Sequence, residues 1–311
     1  MDKFTCMQAL TRVVESGSFA EAARRMGVSA PMVTKYISHL EQLLGSRLLN
    51  RSTHSLSLTD AGQAYYQRCV QLLEDLGEAE AAAGAQSASP RGSLRMSVST
   101  DFGVTHLGPV LLEYASLNPD VKLEVSVSNH FVDIVEEGFD LAVRITNVLR
   151  TNLVARKLAT SRLIACAAPE YLRAHGRPQI PENLVHHNCL SFSDTVPMAE
   201  QWRFTREGRV TVVKASGNLR ASNNELLRLA ALHGQGVLLQ PTFNVSDELR
   251  SGKLVQVLAE YDAGALGVYV VYPHRKHLAA KVRSFIDTLA GRWGDASGRD
   301  PFWKSQEAAS G

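Results

Sequence analysis

The chain has 311 residues, 45% of them hydrophobic, which is enough for more than one domain and a sizeable core. Its formal net charge is only +2, which excludes a polycation that binds nucleic acid by charge alone. No apolar run reaches the length of a membrane-spanning helix, and acids together with Arg12 interrupt what a signal peptide would need as its apolar core. We therefore expect a cytoplasmic protein that has no membrane partner.

A short helix with clear boundary residues is the first distinctive element. Ser18 and Glu21 form an S-x-x-E capping box, in which each side chain satisfies a backbone donor of the other, and the helix then covers residues 19–26. Gly27 ends it, because glycine enters the left-handed region at little cost. Two adjacent alanines inside it are small enough to let a second helix approach closely.

The next helix has one apolar face and one polar face. Ser29 is its expected N-cap, and Pro31 lies in its first turn, where a missing N–H does no harm. An apolar stripe at spacings of four, three and four residues faces a small core, and it consists of Val33, Ile37, Leu40 and Leu44. Helix, tight turn and helix is the arrangement that places a second helix in the major groove of DNA. The candidate DNA-contacting residues of this helix are Ser29, Ala30, Pro31, Thr34, Lys35 and Ser38.

A wing-like segment follows the second helix. Apolar and polar residues alternate over 55–59, which predicts a short hairpin. Its polar side chains suit phosphates or the minor groove, and the candidate contacts are Arg51, Thr53 and His54. A polar face alone is common to any surface helix, but the capped helix, the glycine turn and this wing together favour DNA binding.

One long helix is predicted from residue 60 to about residue 86, with Thr59 or Asp60 as its cap. Its apolar residues alternate at spacings of four and three, as in a coiled coil, and they are Tyr65, Cys69, Leu72, Leu76, Ala79 and Ala83. So narrow a stripe needs a partner, either the rest of the same chain or a second copy. We favour a dimer, because DNA half-sites call for two-fold symmetry. Residues 86–92 then predict a hinge and a domain boundary near residue 90.

Residues 1–90 resemble the winged helix-turn-helix and linker helix of the LysR-type transcriptional regulators. The matching residues are Phe4, 22–26, 28–31, 33–35, Ile37, Leu40, Glu41, Leu44, Gly45, 47–49, Arg51 and 58–62. Ala30 stands where the family often has glutamine, and His54 stands where it often has a wing arginine, so the expected base and phosphate contacts differ there. The resemblance implies double-stranded DNA as a partner, a homodimer or homotetramer, a small-molecule effector, and RNA polymerase as a further partner.

Beyond the hinge, strands and helices alternate. Strands are predicted over 94–99, 123–128, 141–145, 163–167, 217–221, 237–240 and 268–272, and helices over 105–116, 132–137, 224–233 and 278–290. This alternation predicts a mainly parallel sheet with helices on both faces, in which ligands bind at the carboxyl ends of the strands.

This half of the chain is similar to the effector-binding domain of the same family, which has a periplasmic-binding-protein-like architecture of two α/β lobes. The matching residues are 107–109, 118–121, 140–144, 234–237, Pro241, 252–255, 272–273 and 281–286. The fold class implied is α/β with an N-terminal winged helix-turn-helix domain. The expected domains are the DNA-binding domain over 1–59, a linker helix and hinge over 60–90, the effector-binding domain over 91–293, and a flexible tail over 294–311. Within the effector-binding domain, lobe I covers 93–161 plus 267–290, and lobe II covers 162–266.

The expected effector pocket lies at the ends of the strands. Ser99 and Thr100 follow the first strand and precede a helix, where hydroxyls beside unpaired N–H groups can hold an anion. Asp101 would repel an acid, so it binds a ligand hydroxyl or amine, or it caps the helix. For every candidate, helix capping or packing between the lobes is the alternative role. The candidates, which the family resemblance supports, are Ser99, Thr100, Asp101, Phe102, Ser128, Asn129, Arg144, Ser193, Asn223 and Gln240.

No catalytic or metal-binding motif stands out. The sequence contains no nucleophile elbow, phosphate-binding loop or dinucleotide fingerprint. His186, His187 and Cys189 lack a fourth ligand at a useful spacing, so we interpret the histidines as surface residues. We therefore predict a ligand-responsive regulator with no enzyme activity, cofactor or metal. An exported solute-binding protein and an enzyme built on the α/β half are the alternative classes.

Two smaller features complete the prediction. The four cysteines suit a reducing compartment as buried thiols, and a redox switch between Cys166 and Cys189 is the alternative. The tail carries an apolar segment over 301–303 that is expected to pack on a neighbour, without an assigned role.

Overall fold

The fold is that of a computed structural model, which describes residues 1–51, 56–83, 89–129, 133–149, 153–192, 201–273, 278–294 and 300–303. The chain forms two compact units, one over Met1–Gly92 and the other over most of the chain from Ser93 onward. In the described ranges, no helix combines the length and the apolarity needed to cross a membrane.

Three helices build the core of the first unit. They pack on one another through a buried apolar cluster, and they are α1 (Lys3–Ser16), α2 (Phe19–Met26) and α3 (Ala30–Leu44). Side-chain oxygens of Asp2 and Ser18 cap α1 and α2 by accepting hydrogen bonds from Thr5 N and Glu21 N. Each helix ends at a glycine with φ between 64° and 66°, where a side chain would be strained. The predicted helix-turn-helix is thereby confirmed.

Two predicted caps differ in detail. The carboxylate of Glu21 accepts hydrogen bonds from Arg24 and Arg25, so it does not return one to Ser18, and only half of the capping box forms. Ser29 occupies the N-cap position of α3 with an extended backbone, but its side chain makes no capping hydrogen bond. A cation within reach of Glu21 thus outcompetes the backbone amide.

The first unit continues with a hairpin and a long helix. Strands β1 (Leu49–Arg51) and β2 (Leu56–Leu58) pair antiparallel, which confirms the predicted hairpin, although residues 52–55 at its tip lie outside the described residues. Helix α4 covers Asp60–Ala83, and the Thr59 hydroxyl caps it by accepting from Gly62 N at 2.9 Å.

The second unit is built on one sheet of nine strands. Its strands are β3 (Gly92–Val98), β4 (Val121–Val127), β5 (Leu141–Thr146), β6 (Val154–Ala167), β7 (Cys189–Phe192), β10 (Arg220–Ala221), β11 (Val237–Pro241), β12 (Val255–Gln256) and β13 (Ala265–Tyr272). A separate hairpin joins β8 (Gln201–Arg206) and β9 (Arg209–Lys214). The helices are α5 (Thr100–Phe102), a π-helical turn (Gly103–Leu107), α6 (Gly108–Leu117), α7 (Pro169–His175), a 3-10 turn (Pro181–His186), α8 (Asn224–Leu232), α9 (Thr242–Arg250) and α10 (Ala280–Trp293).

The strand order is β10-β7-β11-β6-β13-β5-β3-β4, with β12 on β6. We call β3, β4 and β5 the first half and β7, β10 and β11 the second half; β6 and β13 connect them. Pairs β3–β5, β7–β10 and β7–β11 are parallel, whereas β6 is antiparallel to β11, β12 and β13, and β13 is antiparallel to β5. The sheet is therefore mixed, and the prediction of a mainly parallel sheet was wrong. The prediction failed because of β6, a strand of 14 residues. The first residues of β6 are mostly exposed, so the sequence shows no strand pattern there.

Other predicted elements also needed correction. Residues 134–138 form a turn where a helix over 132–137 was predicted. The helix predicted over 105–116 begins instead at Thr100 and runs through the π-helical turn into α6. The β8–β9 hairpin and helices α7 and α9 were not predicted.

The cysteines are buried free thiols. Cys189 on β7 faces Val237 of β11, and Cys166 on β6 faces Leu238 of β11, so a whole strand separates the two cysteines. Adjacent strands already lie about 4.8 Å apart, and a disulfide requires Cα atoms within about 7 Å. Burial also raises the pKa of Cys166 to about 12 and that of Cys189 to about 11, which suppresses the reactive thiolate. The predicted alternative of a redox switch between them is therefore wrong for this fold.

Candidate functional site

Helix α3 presents one polar face to solvent. Exposed residues recur along it at spacings of four, three and four, and they are Pro31, Lys35, Ser38 and Gln42. The opposite stripe of Val33, Ile37 and Leu40 is completely buried against α1 and α2. Burial of the stripe thus fixes which side chains α3 can offer to another molecule.

The predicted contacts on α3 are not equivalent. Lys35 is an exposed cation, whereas Thr34 is half-buried and its hydroxyl donates to the Ala30 carbonyl oxygen at 3.1 Å. Ala30 itself packs partly against the core. Ser29 is exposed at the start of the helix. The structure therefore gathers these residues on one end and face of α3, with Ala30 at the border between face and core.

The wing is attached to α3 through Glu41, a residue that was not predicted to act at this site. Its Oε1 accepts hydrogen bonds from Leu48 N at 2.9 Å and from Leu49 N at 3.2 Å, where the chain enters β1. Both bonds have a carboxylate acceptor, which makes them stronger than neutral ones. Among the predicted wing contacts, Thr53 and His54 lie outside the described residues, and so does the side chain of Arg51.

Helix α4 holds the same wing from the other side. The Thr59 hydroxyl donates to the Arg47 carbonyl oxygen at 2.7 Å while it caps α4. Gly62 lies so close to Leu48 that a Cβ atom would collide with the Leu48 carbonyl oxygen. The start of the wing is thus fixed between α3 and α4.

The predicted apolar seam of α4 divides into two parts. Cys69 is completely buried in the core of the first unit, and Tyr65 packs against that core. Leu72 and Leu76, further along the helix, are 48% and 36% exposed. The side chains of Ala79 and Ala83 lie outside those described. The first turns of α4 therefore pack on their own chain, so for this part of the seam the alternative of a partner within the same chain is confirmed. The middle of the helix leaves two leucines exposed to solvent.

In the second unit, the turn between β3 and α5 carries the first predicted effector residues. Asn129, which follows β4, accepts a hydrogen bond from Thr100 N at 2.9 Å through its Oδ1. Ser99 Oγ and Asp101 Oδ1 are buried and have no hydrogen-bond partner among the described residues. A buried polar atom without a partner costs about 1–3 kcal/mol, so this turn is suited to receive a polar group.

A chain of side chains connects that turn to the second half of the sheet. Asp101 Oδ2 accepts from Asn224 Nδ2, and Asn224 Oδ1 accepts from Gln240 Nε2, both at 2.7 Å. Asn129 Nδ2 donates to the Ser222 carbonyl oxygen at 3.3 Å. Asp101, Asn129, Ser222, Asn224 and Gln240 thus meet where the two halves of the sheet come together, and we call this region the cleft. Asn224, at the start of α8, was not predicted as a site residue. Its position directly after the candidate Asn223 is the feature of the sequence that could have identified it.

Burial dominates the electrostatics of Asp101. It raises the pKa of this carboxyl group, and the hydrogen bond from Asn224 opposes that shift in part. The nearby Glu225 raises the pKa further, because two negative charges repel. The unpartnered Oδ1 of this group can accept a hydrogen bond from a hydroxyl or an amine. Asp101 was also expected as a possible helix cap, but its carboxylate accepts a hydrogen bond from the Asn224 side chain and makes no capping hydrogen bond to α5.

The remaining effector candidates lie in other environments. Phe102 is fully buried and packs against other rings, so it offers no surface to a ligand. Asn223 caps α8 by accepting from Leu226 N at 3.0 Å. The Arg144 guanidinium donates to Ser97 Oγ at 3.1 Å, and burial lowers its pKa. Ser128 follows β4, where its N–H donates to the Val98 carbonyl oxygen, and Ser193 lies outside the described residues.

The histidines near Cys189 form no metal site. The described residues contain no cluster of three His, Cys, Asp or Glu side chains that could hold a metal ion. His186 is exposed as predicted, but His187 is buried, and its Nδ1 lies 3.3 Å from the hydroxyl of Tyr171. Its prediction as a surface residue was wrong, because the 3-10 turn directs it against α7.

Two protein families match this chain. Residues 4–63 match the family described as "Bacterial regulatory helix-turn-helix protein, lysR family", and residues 87–294 match "LysR substrate binding domain". An uncharacterized HTH-type transcriptional regulator of Haemophilus influenzae is 34% identical over 282 residues, which is 91% of this chain and 98% of that protein. The HTH-type transcriptional activator TtdR of Escherichia coli is 32% identical over 91% of each chain.

Solved structures give the same result. CrgA from Neisseria meningitidis, a LysR-type transcriptional regulator, has a TM-score of 0.61 and 31% identity over 94% of this chain and 99% of its own. AphB, a virulence activator of Vibrio cholerae, has a TM-score of 0.59 and 29% identity over the same shares. All four of these relatives bear the names of transcriptional regulators or activators.

Proposed function

Because this chain belongs to the LysR family of transcriptional regulators, we propose that α3 contacts the bases of an operator while a small molecule in the second unit controls the outcome. The observation that carries this proposal is the polar face of α3, which stays exposed because its apolar stripe is completely buried. A helix held in this way can enter the major groove as a rigid element.

On α3, Lys35 supplies a cation for phosphate or guanine, and Thr34 and Ser38 supply hydroxyls for base edges. Ser29, Ala30 and Pro31 lie at the end of the helix that approaches the groove first. The wing residues Arg51, Thr53 and His54 contact the flanking phosphates or the minor groove. In this arrangement the base contacts set the sequence preference, and the phosphate contacts set the salt dependence.

The active form is a homodimer that assembles into a homotetramer. Support for the dimer comes from the exposed Leu72 and Leu76 on α4, since a row of apolar side chains in water favours burial against a second copy. Two α3 helices then meet two half-sites related by two-fold symmetry. Support for a second interface comes from the exposed Leu112 and Leu117 on α6, which are 76% and 72% accessible.

The effector binds in the cleft between the two halves of the sheet, in contact with Ser99, Thr100, Asp101, Asn129 and Gln240. The unpartnered oxygens of Ser99 and Asp101 support a ligand that carries a hydroxyl or amine donor. The ligand acts only if it prefers one arrangement of the halves over another. Arg144, Asn223, Ser128 and Ser193 are the further candidate contacts for the effector. The protein acts in the cytoplasm, where RNA polymerase is its further partner.

A footprint of the DNA upstream of the protein's own gene, at two salt concentrations, tests this proposal. We expect a protected region of roughly two-fold symmetry over several helical turns, weaker at the higher salt concentration. Protein with both Thr34 and Lys35 replaced by alanine is the control that should lose the protection. Protection that the variant retains in full would refute the assignment of α3.

A thermal-shift screen tests the effector class separately. Small hydroxy acids and amines should raise the Tm of the protein, whereas matched acids without a donor should not. Asp101→Asn is the control, because its one oxygen can accept from Asn224 as before while an NH2 donor takes the place of the unpartnered oxygen that would accept from the ligand. Equal shifts by both sets of compounds would refute the proposed ligand chemistry.

A further inference from the structure

Four residues near the C-terminus, Asp300–Trp303, which we call the clip, pack on their own chain. The Asp300 side chain is only 5% exposed. Its Oδ2 accepts a hydrogen bond from Arg162 N at 2.8 Å and from the Thr242 hydroxyl at 2.6 Å, and it lies 3.7 Å from Arg162 Nε. Thr242 in turn lies 2.7 Å from the Ser161 hydroxyl. One backbone N–H group, one hydroxyl group and one guanidinium group thus hold the Asp300 carboxylate.

These anchors lie where the two halves of the sheet diverge. Strand β6 pairs with β13 up to Arg162 and with β11 from Leu163 onward. Thr242 begins α9, directly after β11. Asp300 therefore connects the point at which β6 changes partner with the first residue of α9.

The rings of the clip connect the same two halves. Phe302 is buried, and its ring centroid lies 5.8 Å from that of Phe102, 5.0 Å from His106 and 5.9 Å from Phe243. Phe102 and His106 belong to the helical segment after β3, and Phe243 belongs to α9. Arg162 lies over the ring of Trp303 at 4.9 Å, within the range of a cation–π contact.

The elements that the clip joins also carry the cleft. Phe102 directly follows Thr100 and Asp101, and Thr242 lies two residues after Gln240. The match to the LysR substrate-binding family ends at residue 294, so the clip lies outside the part of the chain that the family match covers. The clip thus packs against the same elements that form the walls of the cleft.

We infer that the clip is a positioning element for the effector cleft: Asp300 and Phe302 hold the turn at Ser99–Phe102 and the start of α9 in a fixed relation. While the clip is attached, the distance between the two walls of the cleft is fixed. When the clip detaches, the two walls keep only their direct contacts, such as the hydrogen bond between Asn224 and Asp101, and their relative motion increases. The link to effector binding rests on the proposed function, whereas the attachment of the walls does not.

Hydrogen exchange measured by mass spectrometry on the full chain, without any ligand, tests the inference. We expect Asp300→Ala to accelerate exchange about tenfold or more in both 99–107 and 240–250, because hydrogen bonds to a charged acceptor are lost. Exchange in 121–127, on the far edge of the sheet, should not change. Asp300→Asn keeps an acceptor oxygen for Arg162 N and the Thr242 hydroxyl, so it should restore most of the protection.

Two controls separate positioning from general stability. Asp247→Ala removes an acid of α9 whose side chain is 78% exposed, and it should leave both segments unchanged. Phe302→Ala should repeat the effect of Asp300→Ala in the same two segments. Unchanged exchange in Asp300→Ala, or a uniform increase that includes 121–127, would overturn the inference. Because the experiment contains no effector, an absence of ligand binding in the cleft would refute the proposed function and leave this result intact.

Discussion

Replacement of Glu41 by alanine offers a direct test of how the wing is held on the recognition helix. The substitution removes the oxygen that accepts from Leu48 N and Leu49 N. A hydrogen bond to a charged group contributes about 1.5–3 kcal/mol, and the two bonds share one oxygen, so we take about 2 kcal/mol for the pair. That loss corresponds to a roughly 30-fold increase in the fraction of molecules whose wing is detached.

The consequence for DNA binding has a defined direction. A detached wing loses its phosphate contacts, so we expect operator affinity to fall about three- to tenfold, and the salt slope to become shallower by about one for each lost contact. Fluorescence anisotropy with an operator duplex at several salt concentrations measures both quantities. Glu41→Gln retains an acceptor oxygen and should lose much less affinity.

If Glu41→Ala acted only by removing a negative charge, operator affinity would rise instead of fall. Removal of an acid near DNA should tighten binding, and Glu15→Ala, at an exposed acid of α1, measures that effect. If Glu41→Ala binds as tightly as the original chain with the same salt slope, the proposed role of Glu41 is wrong. If the affinity falls but the slope is unchanged, Glu41 acts on the fold of α3 and not through the wing.

On α3, replacement of both Thr34 and Lys35 by alanine is expected to weaken operator binding about tenfold or more without a change in Tm, and unchanged anisotropy titrations would remove both residues from the DNA-contacting face. Thr100→Val should abolish the effector response of a reporter gene while operator affinity is retained; a normal response would place the pocket elsewhere. Asp101→Asn should raise Tm at pH 7 by about 2 °C or more, because burial raises the pKa of this carboxyl group in the folded state and ionisation there is costly. The stability that protonation gives Asp101 is fully present below its unfolded pKa of 3.8 and is lost as the pH rises through the folded pKa, so the two melting curves should converge in acid; a pH-independent difference would contradict this account.

The DNA-binding unit was largely predictable because its determinants are local. Ser18, Gly27 and the stripe from Val33 to Leu40 set the bounds and faces of α2 and α3 through contacts three or four residues apart. The β1–β2 hairpin and the cap of α4 at Thr59 follow from equally short-range patterns. Helix α1 was not predicted, and neither was the role of Glu41, since its partners lie seven and eight residues away at the start of β1.

The second unit was predictable only in outline. Strand and helix segments were recognisable, but a parallel sheet was inferred from their alternation, and the antiparallel passage of β6 and β13 has no counterpart in that pattern. Phe102 illustrates the limit for single residues: it directly follows the strand end that carries the cleft residues, yet it turns into a buried aromatic cluster. Position at a strand end therefore predicts the neighbourhood of a site but not the direction of each side chain.

The sequence by itself determined the family, the helix-turn-helix with its exposed face, and the approximate place of the cleft, because each depends on motifs or on periodicity within one element. The tertiary structure decided which polar groups meet. The bond from Asn224 to Asp101 spans 123 residues and that from Arg162 to Asp300 spans 138. Such pairs form only when the packing of the sheet halves brings them together, and no periodic pattern along the chain encodes that approach.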